Sequence, residues 1–274
     1  MRRETPRKTG LHFACPLGRV VAAGGGCYNR VAAPMPRERL IVALDRPRLE
    51  EAEEIAERLV EEVGLFKIGL ELFHAAGPRA LLRLRDKAGG VFYDCKLHDI
   101  PNTVAGAVRQ IVPLGVRMLN LHALAGREAL VAGREAAAEA ATKAGLARPR
   151  LLAVTVLTSL SEETLRQELG LPVSAEALAL HLARLCWEAG LDGVISSPRE
   201  AAAIKAACGK DFLVVCPGIR PTWAEAGDQK RAATPAEAIA AGADYLVVGR
   251  PVTAAADPKA AARRVVAEMR QALG

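Results

Sequence analysis

The sequence predicts a single (β/α)8 barrel. Three observations predict it. Eight short apolar runs recur over about 240 of the 274 residues. Helical patterns lie between them, and polar residues gather where the runs end. The runs are 40–44, 65–70, 91–95, 117–123, 151–157, 192–197, 212–216 and 245–249. Each is too short for a typical helix and too uniformly apolar for a sheet with one wet face. Such runs suit parallel strands buried on both sides. Eight of them in strict alternation with helices favour a closed barrel over an open doubly wound sheet.

Taken in order, the first run, LIVAL, ends in Asp45 and is followed by RLEEAEEIAERLVEEV (48–63). There Leu49, Ala52, Ile55, Ala56, Leu59 and Val63 form one stripe, with acids opposite. The second run carries Lys67 inside an apolar strand, where an amine needs a partner. The third, VFYDC, ends in Asp94 and Lys96, with Asp99 just beyond. Alternation puts Asp94 and Lys96 on one face and Cys95 on the other. The fourth ends at His122 and precedes the helical 126–145. The fifth ends in Thr158 and Ser159, before the helical 174–190. After the seventh comes a long loop, PGIRPTWAEAGDQKRAATP (217–235). Its length suggests a lid, with Arg220 near its start and Gln229 able to hydrogen-bond a phosphate. TPAEAIAAG (234–242) has a Thr N-cap, Pro at the first helical position and a closing Gly. The eighth strand ends in Gly249 and Arg250, and 257–273 is the last helix.

In a barrel the chemistry sits at the C-terminal ends of the strands, and the loops after strands seven and eight often bind phosphate. Glycine lets backbone N–H groups approach an anion, and arginine can hold one with two hydrogen bonds. Asp94 and Lys96, on a shared inward face, would set an anion beside a cation at the barrel mouth. A structural ion pair under a loop is the competing reading of those two residues taken alone.

Bulk properties exclude other classes. The net charge is +6, but residues 1–34 contribute +5 of it and the remainder only +1. With 4% aromatic residues, that body gives little support to a nucleic-acid surface. No apolar run approaches a membrane span. The six cysteines form no CxxC pair, which fits reduced thiols in the cytoplasm and not a zinc site. Residues 1–34 are basic and lack periodicity. They are read as a disordered or misassigned N-terminal extension, ahead of an organellar presequence, because Met35 opens a fresh MPRERLIVALD. The catalytic domain is set at 35–274.

The motifs LDRP, KIG, DCKLHDIPNT, TVLTS, PGIRP, AGDQKR and GADYLVVGRPVT occur in that order with barrel spacing. Together they resemble the orotidine 5′-phosphate decarboxylase family, in its bacterial-type branch, from about residue 39 to 273. The resemblance implies conversion of orotidine 5′-monophosphate to uridine 5′-monophosphate and CO2, without metal or organic cofactor. It implies Lys96 as proton donor, Asp94 against the substrate carboxylate, and Lys67 completing an alternating Asp-Lys-Asp-Lys chain. It implies a homodimer in which Asp99 and Thr103 cross to the neighbouring site, with Asp45 on the ribose. Thr158, ahead of Ser159, would read the pyrimidine. Arg220, Gln229, Gly249 and Arg250 would hold the phosphate. His98 and His122 are assigned structural hydrogen bonding, since no hydrolase or metal spacing recruits them. Two rivals remain: a Mg2+-dependent sugar-phosphate decarboxylase or aldolase on a related barrel, and a non-catalytic nucleotide-binding barrel.

Overall fold

The computed structural model describes residues 35–224 and 233–272. All eight expected strands form, and they close into one parallel barrel in the order β1 to β8. They are β1 (Leu40–Ala43), β2 (Leu65–Ile68), β3 (Val91–Leu97), β4 (Met118–His122), β5 (Arg150–Val154), β6 (Gly193–Ile195), β7 (Leu213–Cys216) and β8 (Tyr245–Val248). Pairing of β1 with β8 (Ile41 opposite Val247) leaves the sheet without an edge.

The α-helices follow in chain order: α1 (Leu49–Leu59), α2 (Leu70–Ala76), α3 (Pro78–Leu84), α4 (Pro101–Ile111), α5 (Gly126–Ala144), α6 (Ala175–Glu188), α7 (Pro198–Cys208), α8 (Pro235–Ala240), α9 (Arg250–Thr253) and α10 (Pro258–Gln271). Local signals set several ends. Thr234 caps α8 in a reciprocal capping box with Glu237, and Pro235 opens the helix. Ser174 caps α6 and Asp257 caps α10. Gly145 ends α5 in the left-handed conformation.

The strand residues divide by parity. Ile41, Ala43, Leu65, Phe92, Met118, Leu152, Val154, Ile195, Val215 and Val247 fill the barrel interior. The alternate residues, with Phe66, Tyr93, Leu119 and Leu121 among them, pack outward against the helices. Continuing the inward series by two residues toward the C-terminal end reaches Lys67 from Leu65, Asp94 from Phe92 and Asn120 from Met118. The pleat that builds the core thus delivers polar side chains to the barrel mouth.

Candidate active site

Lys67 is buried at 8% exposure, a state an ammonium reaches only with partners. Its Nζ lies 3.0 Å from Asp45 Oδ1 and 3.3 Å from Asp94 Oδ2. The other Asp94 oxygen accepts from Lys96 Nζ at 2.7 Å. Asp45, Lys67, Asp94 and Lys96 therefore form one line of alternating charge from β1 through β2 to β3. Burial alone would raise the Asp94 carboxyl. The charges of Lys67 and Lys96, with hydrogen bonds from Lys96 and Asn120, outweigh it and hold the group below the usual carboxylate range.

Gly69 belongs to this array through what it lacks. A Cβ there would lie 2.8 Å from both Asp45 Oδ1 and Lys67 Nζ. Its φ of −96° needs no glycine, so the requirement is space for the ion pair.

Asp94 and Lys96 do share a face, and Cys95 points away, its Sγ donating to the Asn120 carbonyl at 3.2 Å. The cause is not the simple alternation expected. Register on β4 shifts between Tyr93 and Leu97, and Lys96 takes a φ of +47°. A left-handed backbone at a non-glycine residue costs about 1–3 kcal/mol and needs enforcement by its surroundings. The enforcing contact comes from Asn120, which the sequence reading did not single out. Asn120 is fully buried. Its Oδ1 accepts from the Lys96 backbone N–H at 2.8 Å, and its Nδ2 donates to Asp94 Oδ1 at 2.8 Å. The available signal was one amide inside the apolar run RMLNLHA, at inward parity with Met118.

Beyond the array, a cavity of about 180 Å³ is lined by Lys67, Asp94, Lys96, Thr158, Ser196 and Pro217 among others. That suits the base end of a ligand and is too small for a whole nucleotide. Thr158 lines it; Ser159 is exposed and does not. A larger cavity of about 1220 Å³ opens at the opposite end of the barrel, between Arg37, Arg117, Arg148 and Arg263. That end carries none of the Asp-Lys array, and in barrels it serves stability.

Asp99 and Thr103 are exposed and stand apart from their own chain's array, Asp99 Oδ1 accepting the Ile100 N–H at 2.6 Å. Arg250 opens α9 with Gly249 before it, where β8 ends. Arg220 follows β7, and its backbone N–H donates to the Ala233 carbonyl at 2.9 Å, bringing the two described ends of the 217–235 loop together. Thr222 donates from its backbone N–H and its hydroxyl to Glu268 of α10. Gln229 lies outside the described residues, as does the expected extension at 1–34. His98 and His122 stack with ring centroids 5.1 Å apart, and His122 Nδ1 accepts the Leu124 N–H. Burial, then the charges of His98 and Lys96, push His122 down to about 4. Among the described residues no three His, Cys, Asp or Glu side chains gather as a metal site.

A family model described as Orotidine 5'-phosphate decarboxylase / HUMPS family matches residues 38–265. The chain belongs to this family. An orotidine 5'-phosphate decarboxylase of a Nostoc species is 51% identical over 235 residues, covering 86% of this chain and 98% of the relative. One from Moorella thermoacetica is 52% identical over 233 residues, covering 85% and 92%. The crystal structure of orotidine 5'-phosphate decarboxylase from Lactobacillus acidophilus is similar at a TM-score of 0.74 and 38% identity, covering 84% of this chain and 98% of that one. The matched stretch contains every strand and the whole charge array.

Proposed function

We propose that the protein decarboxylates orotidine 5'-monophosphate to uridine 5'-monophosphate and CO2 in pyrimidine biosynthesis. The observation that carries this reading is the alternating line Asp45–Lys67–Asp94–Lys96 at the mouth of a family barrel. Loss of CO2 from C6 leaves an electron pair in an sp2 orbital that no neighbouring π-system delocalises. Without an electron sink, the protein itself must favour the charge. Lys96 is the ammonium that would do so, first by its field and then by giving its proton to C6. Asp94, ionised by its two lysine neighbours, would face the substrate carboxylate. Both of its oxygens are engaged by ammonium groups, which favours a charge array over a Mg2+ site and so this reaction over the Mg2+-dependent rival.

One ammonium does not suffice. A charge pair at 4 Å is worth about 4 kcal/mol at an effective dielectric of 20, whereas enzymes supply roughly 8–23 kcal/mol. The remainder is assigned to binding energy gathered along the nucleotide. Asp45 would hold the ribose and Thr158, ahead of Ser159, the pyrimidine. Arg220, Gln229, Gly249 and Arg250 would hold the phosphate. The reading includes a cytoplasmic homodimer in which Asp99 and Thr103 complete the neighbouring site. Ile100, 67% exposed beside Asp99, and Leu124, 49% exposed after β4, support a covered apolar face at this end.

The test is decarboxylation of orotidine 5'-monophosphate followed by ultraviolet absorbance, with EDTA present. Turnover unaffected by the chelator is expected. No turnover, with tight binding of uridine 5'-monophosphate, would leave a nucleotide-binding barrel.

A further inference from the structure

We propose that Asn120 is a positioning residue for this reaction, holding Lys96 and Asp94 in their working geometry. The proposal rests on the reading of Lys96 as proton donor. Between Tyr93 and Leu97 the third strand spends four residue steps against two on the fourth, Leu119 to Leu121. Such a bulge removes the backbone partner that a regular ladder would offer. The Asn120 side-chain carbonyl fills that role for the Lys96 N–H. Its amide group simultaneously fixes the Asp94 oxygen that receives the Lys96 ammonium. Its backbone carbonyl accepts from Cys95. One buried residue thus contacts three consecutive positions of the bulge. Only one amide orientation serves both side-chain contacts, because a backbone N–H needs the oxygen and a carboxylate needs the NH2.

Asn120 does not itself line the cavity and would reach the substrate only through Lys96 and Asp94, which do. Its removal should therefore lower kcat and leave nucleotide affinity largely intact. A lost buried hydrogen bond to a charged group predicts a fall in kcat of about 10- to 100-fold for Asn120→Ala. Asn120→Asp separates the two contacts. It keeps an acceptor for the Lys96 N–H and sets an anion where Asp94 had a donor. Two carboxylates side by side raise the pair's apparent pKa, so the acid limb of its kcat profile moves to higher pH.

The experiment measures kcat, KM, the kcat–pH profile and uridine 5'-monophosphate affinity for the wild type, Asn120→Ala, Asn120→Asp and Lys96→Ala. Lowered kcat with retained affinity, and the raised acid limb in Asn120→Asp, would support the proposal. Should Asn120→Ala fail to fold, Asn120→Asp carries the same comparison. Wild-type kcat and profile in the Asp variant, beside an inactive Lys96→Ala, would overturn this proposal alone. Parallel losses of kcat and affinity with an unshifted profile would also overturn it, as a general structural role. An active Lys96→Ala enzyme would instead remove the reading beneath it.

Discussion

Replacing Lys67 by methionine keeps most of the side-chain volume and deletes one charge from the middle of the array. Lys67 Nζ stands 3.3 Å from Asp94 Oδ2, and both side chains are largely buried, at 9% and 13% exposure. Coulomb's law at an effective dielectric of 20 puts their gross attraction near ~5 kcal/mol. Desolvation offsets part of that attraction in the wild type. It does not disappear when one partner leaves, and breaking a buried pair costs about 3–5 kcal/mol. Asp45 adds little, being half exposed and screened by water. The loss corresponds to a fall in Tm of roughly 6–20 °C at about 2–4 °C per kcal/mol.

The sign with pH is specific. In the wild type Asp94 is depressed, so its contribution is complete above the unfolded value of about 3.9 and fades only as pH falls through the lower folded value. In Lys67→Met the largest favourable charge is gone, so Asp94 rises toward the ordinary carboxylate range, with Lys96 and Asn120 still opposing burial. Its ionised form then contributes less to the fold than in the wild type, and it takes up its proton at a higher pH. The stability gap between wild type and variant should be complete near neutrality and narrow as pH falls through about 4. Thermal unfolding followed by circular dichroism at fixed protein concentration reads the gap. A gap under about 1 kcal/mol, or one constant with pH, would refute the reasoning, since exposed pairs behave that way.

Three further outcomes follow from the same geometry. Arg250→Ala should lower kcat/KM for orotidine 5'-monophosphate by about 100-fold or more although it touches no reacting atom, because remote binding energy is used in the transition state; near-normal steady-state kinetics would remove the phosphate assignment. Gly69→Ala should cost about tenfold or more in kcat/KM through displacement of Lys67, because misplacing a catalytic group by an ångström is costly. A wild-type rate would mean that the array tolerates the added methyl. Co-expressed Lys96→Ala and Asp99→Ala chains should regain activity that neither homodimer has, because a mixed dimer restores one complete site if Asp99 acts across the interface. Hybrids as inactive as their parents would place Asp99 outside the neighbouring site.

The strands were legible because burial on both faces leaves uniform apolar runs, and parallel strands permit little else. Lys67 stood out for the same reason: a charge within such a run demands partners, and Asp45 and Asp94 supply them. Helices α4 and α7 each open on a proline and bury a stripe of small and branched residues, Val104, Ala105, Val108 and Ile111 in one and Ala201, Ile204 and Cys208 in the other. The Lys96 backbone was not legible. The letters Asp-Cys-Lys read as ordinary alternation, and the bulge exists only in the register between β3 and β4. Asn120 was missed because one amide in an apolar strand takes its meaning from a residue 24 positions away. The role of Gly69 depends on side chains that converge from two other positions, and no local pattern announces that.

The most direct test of the account compares Lys96→Ala with the wild type in two measurements on one preparation: the decay of orotidine 5'-monophosphate absorbance with EDTA present, and the affinity for uridine 5'-monophosphate. The variant should bind the product and fail to turn over the substrate. Decarboxylation by Lys96→Ala at a rate near that of the wild type would contradict it, and the proton would have to come from elsewhere.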